Sequence, residues 1–187
     1  MHNNRMTTAA ALLLALAGAG AAAQPVADAS PAIYVEGGQT LHGGANSQMA
    51  GIGVMLPWAP NPSWRGGARS FYWDLFASQW RGPYDGGRRS ISQIGAIATW
   101  RYRFDGGASP WFVEGGLGVS VMDRLYRTDG RSFSTAFQFT EAIGAGYSFG
   151  TNGRHELSLR LQHFSNAGIK KPNPGENFVR LRYAYRF

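Results

Sequence analysis

Residues 157–168 have the sequence LSLRLQHFSNAG, which begins as a strict two-residue alternation. Leu157, Leu159 and Leu161 fall on one face, and the polar residues between them fall on the other. That is the period of a β-strand, in which successive side chains point to opposite sides of the sheet. Continuing the count places His163 and Ser165 on the leucine face. A potential base and a potential nucleophile therefore share the apolar side, with Cα atoms roughly 6.6 Å apart at about 3.3 Å per residue.

The same alternation recurs along the chain and predicts an all-β protein with eight strands. The predicted strands are 33–40, 48–56, 71–80, 90–104, 111–121, 133–149, the 157–168 stretch and 178–187. Residues 81–89 are rich in Gly, Asp and Arg and are predicted to form a loop, whereas 57–67 contain three prolines and are predicted to form a connection with room for a short helix.

The first 23 residues are typical of an export signal. Arg5 precedes an apolar run over 9–17, and three alanines at 21–23 offer a cleavage site. The alternative, a membrane anchor, needs an apolar run of about 20 residues, which is longer than this one. We therefore expect residues 24–187 to form one domain. The chain has no cysteine, so its core must close by packing and hydrogen bonding alone.

The last strand gives the strongest indication of a membrane protein. Its residues from Val179 to Phe187 alternate between an apolar face and a face that carries Arg180, Arg182 and Arg186. A transmembrane antiparallel β-barrel combines this pattern with many aromatics, which make up 13% of the chain, and few charges, which make up 16%. A soluble lipocalin-like barrel would show the same periodicity with its apolar face turned inward. The export signal, the terminal Phe187 and the lack of cysteine favour the membrane barrel.

An eight-stranded barrel has an interior that side chains can fill. The charged residues expected inside are Asp74, Arg101, Arg103, Glu114, Glu156, Arg160, Arg180 and Arg182. Buried charges need partners, so we interpret this set as a paired network and not as the lining of a pore. The formal net charge of +7 suits a surface that meets the phosphates of anionic lipid, and export argues against nucleic acid.

If both chain ends lie on the periplasmic side, the seventh strand carries His163 and Ser165 to its extracellular end, facing lipid. The outer leaflet there is lipopolysaccharide. The alternative interpretation is a polar pair in the headgroup zone, where such residues cost only about 0–1 kcal/mol.

The block from His163 to Gly168, followed by residues 171–177 (KPNPGEN), resembles the signature of the outer-membrane lipid A 3-O-deacylases (PagL family). The resemblance implies an eight-stranded barrel, a site on its outer surface and hydrolysis of the ester-linked 3-hydroxyacyl chain of lipid A. In that family a serine is the nucleophile, a histidine two residues earlier is the base, an acid near the start of the last strand orients the histidine, and an asparagine after the serine helps to stabilise the oxyanion.

Carried over residue by residue, the resemblance assigns the base to His163, the nucleophile to Ser165 and the oxyanion contact to Asn166. The third member stays open between two neighbours. A gap-free alignment puts the family's acid at Asn177, whereas the only acid of the block is Glu176. Alternation turns Glu176 inward, but a bulge after Pro174-Gly175 would turn it outward. We expect Glu176 to be the catalytic acid, with Asn177 as the alternative; a loop ion pair with a nearby lysine would leave Glu176 structural.

The sequence thus predicts a serine esterase of the Gram-negative outer membrane that needs no metal or organic cofactor. Its expected partners are lipid A or lipopolysaccharide and the membrane itself, and a homodimer stays open. Two alternatives belong to other classes. One is a phospholipase or acyltransferase that acts on glycerophospholipid, and the other is a non-catalytic barrel such as an adhesin or stress protein.

Overall fold

Eight antiparallel strands follow one another in chain order and close into a barrel in this computed structural model, which describes residues 28–41, 46–58 and 67–187. The strands are β1 (Ala32–Thr40), β2 (Gln48–Pro57), β3 (Arg69–Tyr84), β4 (Gly87–Arg103), β5 (Trp111–Met122), β6 (Phe137–Phe149), β7 (His155–Ser165) and β8 (Glu176–Arg186). Strand β1 pairs with β8 along its whole length, so the sheet has no free edge. The predicted eight-stranded barrel is confirmed.

Two short 3₁₀ turns, Asp105–Gly107 and Thr151–Gly153, connect strands at the end of the barrel where β1 begins and β8 ends. Within the described ranges no helix is long and apolar enough to cross a membrane. The predicted signal peptide at 1–23 and most of the predicted 57–67 connection lie outside the described residues. We call the opposite end of the barrel, which carries the β1–β2, β3–β4, β5–β6 and β7–β8 connections, the site end.

The leucine face of β7 points out of the barrel. Leu159 and Leu161 are 44% and 43% exposed, whereas Arg160 and Gln162 are each 1% exposed. The other strands repeat this pattern, with exposed aliphatic and aromatic side chains outside and the buried charged side chains inside, where they lie alongside buried aromatics such as Trp80 and Phe178. An apolar exterior around a polar interior is the arrangement of a barrel embedded in lipid. The predicted inside–outside assignment is therefore confirmed.

A network of ion pairs fills the barrel. Asp74 accepts hydrogen bonds from Arg160 at 3.0 Å and from Arg182 at 2.8 Å, and Arg101 lies 2.9 Å from Glu114. Each of these side chains is almost completely buried. Since every charge has an opposite charge beside it, burial is compensated and the interior holds side chains in place of a channel.

Asp28, in the segment before β1, closes the network at the end of the barrel where β1 begins and β8 ends. Its carboxylate lies 2.9 Å from Arg103, 3.2 Å from Arg101 and 3.5 Å from Arg186. Burial by itself would raise the pKa of Asp28, but these three guanidinium groups lower it to below its usual range. The segment that precedes the first strand is thereby tied to the barrel.

Strands β3 and β4 are longer than the alternation predicted. The predicted 81–89 loop is wrong, because pairing continues to Tyr84 opposite Gly87 and leaves a two-residue turn. Asp85 and Gly86 both have positive φ, 50° and 68°, which is the backbone that a tight hairpin of this kind requires. The side chain of Arg88 also donates to the carbonyl of Arg81 at 2.7 Å, so this polar sequence still extends the sheet.

Strand β6 is shorter than predicted, and β8 begins earlier. Phe133, expected in the sixth strand, lies in the β5–β6 connection, where its ring packs against Tyr126 with centroids 5.0 Å apart. Burial at the mouth of the barrel explains its apolar character without a strand. Strand β8 begins at Glu176, two residues before the predicted start, and this shift decides how the candidate site is built.

Candidate active site

Strand β7 presents His163 and Ser165 on the outer surface at the site end, both partly buried. Phe164 between them points inward and is fully buried. Its ring packs edge-on against Trp80 with centroids 4.8 Å apart, and Trp80 also contacts Phe178 at 4.4 Å. Aromatic packing of this kind fixes the end of the strand. The two outward side chains consequently project from a rigid piece of backbone.

Asn177 is the residue that contacts His163. The two residues are direct partners across β7 and β8, and Nδ1 of His163 donates to Oδ1 of Asn177 at 2.7 Å. An amide oxygen can only accept, so Nδ1 carries the proton and Nε2 is left as an acceptor. This is the tautomer that a histidine needs to take a proton from a serine.

The Cε1–Nε2 bond of the imidazole faces Gly175 at the site end. A β-carbon on Gly175 would lie 2.6 Å from Cε1 and 3.2 Å from Nε2 of His163. Gly175 directly precedes β8, whose first residue pairs with Phe164, so Gly175 lies at the end of β7, where Ser165 is the last residue of the strand. Within the described part of the chain, the side-chain hydrogen bond of His163 goes to Asn177 and not to Ser165. Catalytic hydrogen bonds often tighten only with substrate present.

Glu176 points into the barrel, so the outward turn that we expected is wrong. It pairs with Phe164 in regular register, without a bulge, and is 2% exposed. Its Oε2 accepts from the hydroxyl of Tyr126 at 2.9 Å and lies 4.0 Å from Nε of Arg131. Gly175, with a positive φ of 70°, lies before the first residue of β8. The turn is therefore complete when the strand begins, and alternation holds from Glu176 onward.

Asn166 organises the β7–β8 connection from inside. It is fully buried, its Nδ2 donates to the carbonyl of Lys170 at 2.7 Å and to Oγ1 of Thr135 at 3.1 Å, and its Oδ1 accepts from the N–H of Gly168 at 3.0 Å. The backbone N–H of Asn166 donates to Oδ1 of Asn173 at 3.1 Å. The side-chain amide thus ties the β7–β8 connection to Thr135 in the β5–β6 connection, and its donors are engaged by these two segments.

A cavity of about 370 Å³ opens on the outer surface beside His163. Its lining includes Leu41, Glu141, Ile143, Leu161, His163 and Asn177. Glu141 is the residue that our sequence reasoning missed. It follows the outward positions of Phe137 and Phe139 by alternation, and this parity within β6 was the available signal.

Neighbouring charged residues do not form a metal site. Within residues 28–41, 46–58 and 67–187, no group of three or more His, Asp or Glu side chains could hold a metal ion.

Comparison with known proteins identifies the family. The sequence profile described as Lipid A 3-O-deacylase (PagL) matches residues 48–186. This chain belongs to that family. It is 34% identical to the lipid A deacylase PagL of Bordetella bronchiseptica over 178 residues, covering 93% of this chain and 92% of that protein. It is 31% identical to the lipid A deacylase PagL of Pseudomonas aeruginosa over 177 residues, covering 92% of this chain and 94% of that protein.

Solved structures support the architecture. A crystal structure of the outer membrane enzyme PagL superposes with a TM-score of 0.63 at 23% identity, covering 83% of this chain and 99% of that one. The crystal structure of Neisserial surface protein A superposes with a TM-score of 0.55 at 12% identity, covering 84% and 97%. Both show the small barrel fold. The chain is an enzyme of the outer membrane, as its sequence predicted.

Proposed function

We propose that this protein hydrolyses the ester bond of the acyl chain at position 3 of lipid A, with Ser165 as nucleophile and His163 as base. The observation that carries the proposal is the 2.7 Å hydrogen bond from Nδ1 of His163 to Asn177, which leaves Nε2 as an acceptor at the end of the strand where Ser165 lies. Family membership supports the substrate, because both curated relatives are lipid A deacylases.

The proposed reaction proceeds through an acyl-enzyme. Nε2 of His163 takes the proton of Ser165 while Oγ attacks the ester carbonyl, and the oxygen of the glucosamine hydroxyl leaves with the proton that His163 returns to it. A water molecule then repeats the sequence: His163 takes its proton, hydroxide attacks the acyl-serine, and Ser165 leaves with that proton. The products are a free hydroxy fatty acid and lipid A with a free 3-hydroxyl group.

Asn177 is proposed as the residue that orients His163. It lies at the position where a gap-free alignment puts the family's acid, and its amide oxygen can hold the imidazole in the required tautomer. The role that we expected of Glu176 is less well supported, since its carboxylate binds Tyr126 on the other side of the sheet. Glu176 instead stabilises the base of the β7–β8 connection.

Asn166 is proposed to act through the backbone that it holds. Because the donors of its amide are engaged by Lys170 in its own loop and by Thr135 in the β5–β6 connection, the oxyanion is better served by backbone N–H groups of the turn that Asn166 folds. Loss of one oxyanion donor costs about 10²–10³ in rate, so a distorted turn would be as damaging as a lost donor.

The location of the pair suits a substrate that stays in the membrane. Ser165 is opposite Phe139 in the register of β6 and β7, and aliphatic side chains line the cavity beside His163. An acyl chain can thus approach along the apolar exterior without leaving the hydrocarbon layer.

Mass spectrometry of lipid A tests the proposal. Lipid A from cells that express the protein should lose one ester-linked hydroxyacyl group, and lipid A from cells with the Ser165→Ala variant should not. Ser92→Ala is a matched control, because Ser92 is an exposed outward serine on β4 that is remote from His163 in sequence and register. A gain of one acyl chain would identify an acyltransferase, release of fatty acid from glycerophospholipid alone would identify a phospholipase, and no change in any lipid would leave a non-catalytic barrel.

A further inference from the structure

Glu141 is an isolated charge on the outside of the barrel. The strands contain six acids, of which Glu36, Asp74, Glu114, Glu156 and Glu176 are buried in the interior, whereas Glu141 is exposed. It follows Phe137 and Phe139 on the outer face of β6. A carboxylate costs free energy on a surface that meets lipid, so its presence there calls for a reason in the local structure.

The register of β6, β7 and β8 explains the position of Glu141, because it places this residue beside His163. Glu141 is the direct partner of His163 across β6 and β7, and His163 is the direct partner of Asn177 across β7 and β8. The three residues form one row across three strands, all pointing outward, with the imidazole in the middle. Side chains directly opposite each other have Cβ atoms about 4.5–5.5 Å apart, so the carboxylate of Glu141 is within reach of the imidazole.

Without Glu141, the row of three residues would have no negative charge to stabilise a protonated His163. His163 becomes an imidazolium when it takes the serine proton, and a carboxylate stabilises that charge better than an amide does. Asn177, the hydrogen-bond partner of His163, is neutral. Among the residues that line the cavity of about 370 Å³ beside His163, Glu141 is the one that carries a formal negative charge. Within the described residues no Arg, Lys or His nitrogen, that of His163 included, forms an ion pair with Glu141 at 4.0 Å or less, so its charge is not already compensated and acts on the imidazole across a gap.

We propose that Glu141 is the electrostatic partner of His163, a positioning residue that stabilises the imidazolium from β6 while Asn177 holds the tautomer from β8. In this chain the two tasks of a catalytic acid are divided between two residues on opposite sides of the histidine. The inference rests on the proposed function, because it requires that His163 gains a proton during turnover.

Relocation of the charge tests the proposal. Glu141→Gln should lower kcat on lipid A at least about tenfold and leave KM within about twofold, since charge stabilisation acts in the transition state. Asn177→Glu, introduced into the Glu141→Gln variant, should restore most of the lost kcat by supplying a carboxylate from the other side. Heat-modifiable migration in gel electrophoresis checks that every variant is folded.

The reaction of Ser165 with a lipophilic fluorophosphonate provides a second readout that does not depend on lipid A. The Ser165 oxygen bonds to phosphorus, fluoride leaves and His163 accepts the serine proton, so the labelling rate reports the same charge. We expect Glu141→Gln to slow labelling and the added Asn177→Glu to restore it. A protein that is labelled normally but leaves lipid A intact would contradict the proposed substrate and not the role of Glu141.

Two results would overturn the role of Glu141. One is an unchanged kcat and labelling rate in Glu141→Gln. The other is a loss that appears in KM and that Asn177→Glu does not restore, which would make Glu141 a contact for the substrate.

Discussion

Gly175 stands so close to His163 that a β-carbon at residue 175 would lie 2.6 Å from Cε1 of the imidazole. Its φ of 70° is also one that side chains rarely adopt. The absence of a side chain at residue 175 therefore defines where the imidazole can stand. Because Asn177 also holds Nδ1, the ring atom bonded to Cε1, the imidazole has little freedom to adjust.

We therefore expect Gly175→Ala to reduce deacylation by roughly 100-fold, the order of loss that a displacement of about 1 Å causes in an active site. Gly86→Ala is the matched control. Gly86 has a similar φ of 68° in the β3–β4 turn, but a β-carbon there would meet nothing within 4 Å. Both variants carry the same backbone strain, so equal activity in the two would contradict the role of Gly175 in placing His163.

Ser165 and His163 should behave as one unit. Ser165→Ala and His163→Ala should each abolish deacylation while the barrel stays heat-modifiable, and the double variant should be scarcely worse than either single one. Steady-state kinetics with purified protein and lipid A measure all three. Substantial activity in Ser165→Ala would indicate another nucleophile or an activated water.

Two substitutions decide whether Asn177 or Glu176 is the residue that acts with His163 and Ser165. Asn177→Ala removes the acceptor for Nδ1 of His163, so it should cut kcat by about one to two orders of magnitude, which is less than the roughly 10⁴-fold loss for an orienting carboxylate because Asn177 is neutral. Glu176→Gln keeps an acceptor for Tyr126 on the inner side of the sheet and should leave kcat within a few-fold of wild type, with a lower unfolding temperature as its main effect. The reverse ranking would restore Glu176 as the catalytic acid.

Asn177→Asp extends this ranking. A carboxylate at residue 177 would accept from Nδ1 and also stabilise the imidazolium, so kcat should equal or exceed that of the wild type. Measuring this variant on the same lipid A substrate gives the comparison. A kcat as low as that of Asn177→Ala would mean that the amide itself, and not its position, is required.

The lowered pKa of Asp28 predicts how the stability of the folded barrel changes at acid pH. Its pKa is lowered in the folded protein, so it stabilises the barrel fully above the unfolded value of about 3.9, and this contribution declines as the pH falls toward the folded pKa. Asp28→Asn should cost roughly 3–5 kcal/mol at pH 7, because it leaves buried arginines without their partner. The difference from wild type should stay constant down to about pH 4 and narrow below it.

Thermal unfolding followed by circular dichroism across this pH range measures the effect. Asp105→Asn is the control, since Asp105 is exposed in a turn at the same end of the barrel. Its φ is 51°, a backbone conformation that asparagine tolerates as well as aspartate does. A difference between Asp28→Asn and wild type that persists unchanged at low pH would show that packing, and not charge, is responsible.

The local alternation determined most of the fold. A period of two assigns each side chain to a face without any knowledge of the rest of the chain, so the number of strands, the charged interior and the outward position of His163 and Ser165 could be predicted, whereas the lengths of β3, β4 and β6 could not. The same count placed Glu176 inside and Asn177 outside. We nevertheless expected Glu176 to point outward, because a turn at Pro174-Gly175 could interrupt the alternation. The structure shows that regular alternation begins directly after Gly175, so Glu176 points inward.

The tertiary structure decided which residues meet. Periodicity within a strand says nothing about its alignment with the next strand, because register depends on the turns and on contacts across the whole barrel. The register sets Asn177 against Nδ1 of His163 and brings Glu141, 22 residues before His163 in the sequence, into the same row. Local alternation therefore determined the face on which the chemistry lies, and closure of the barrel determined the neighbours of the histidine.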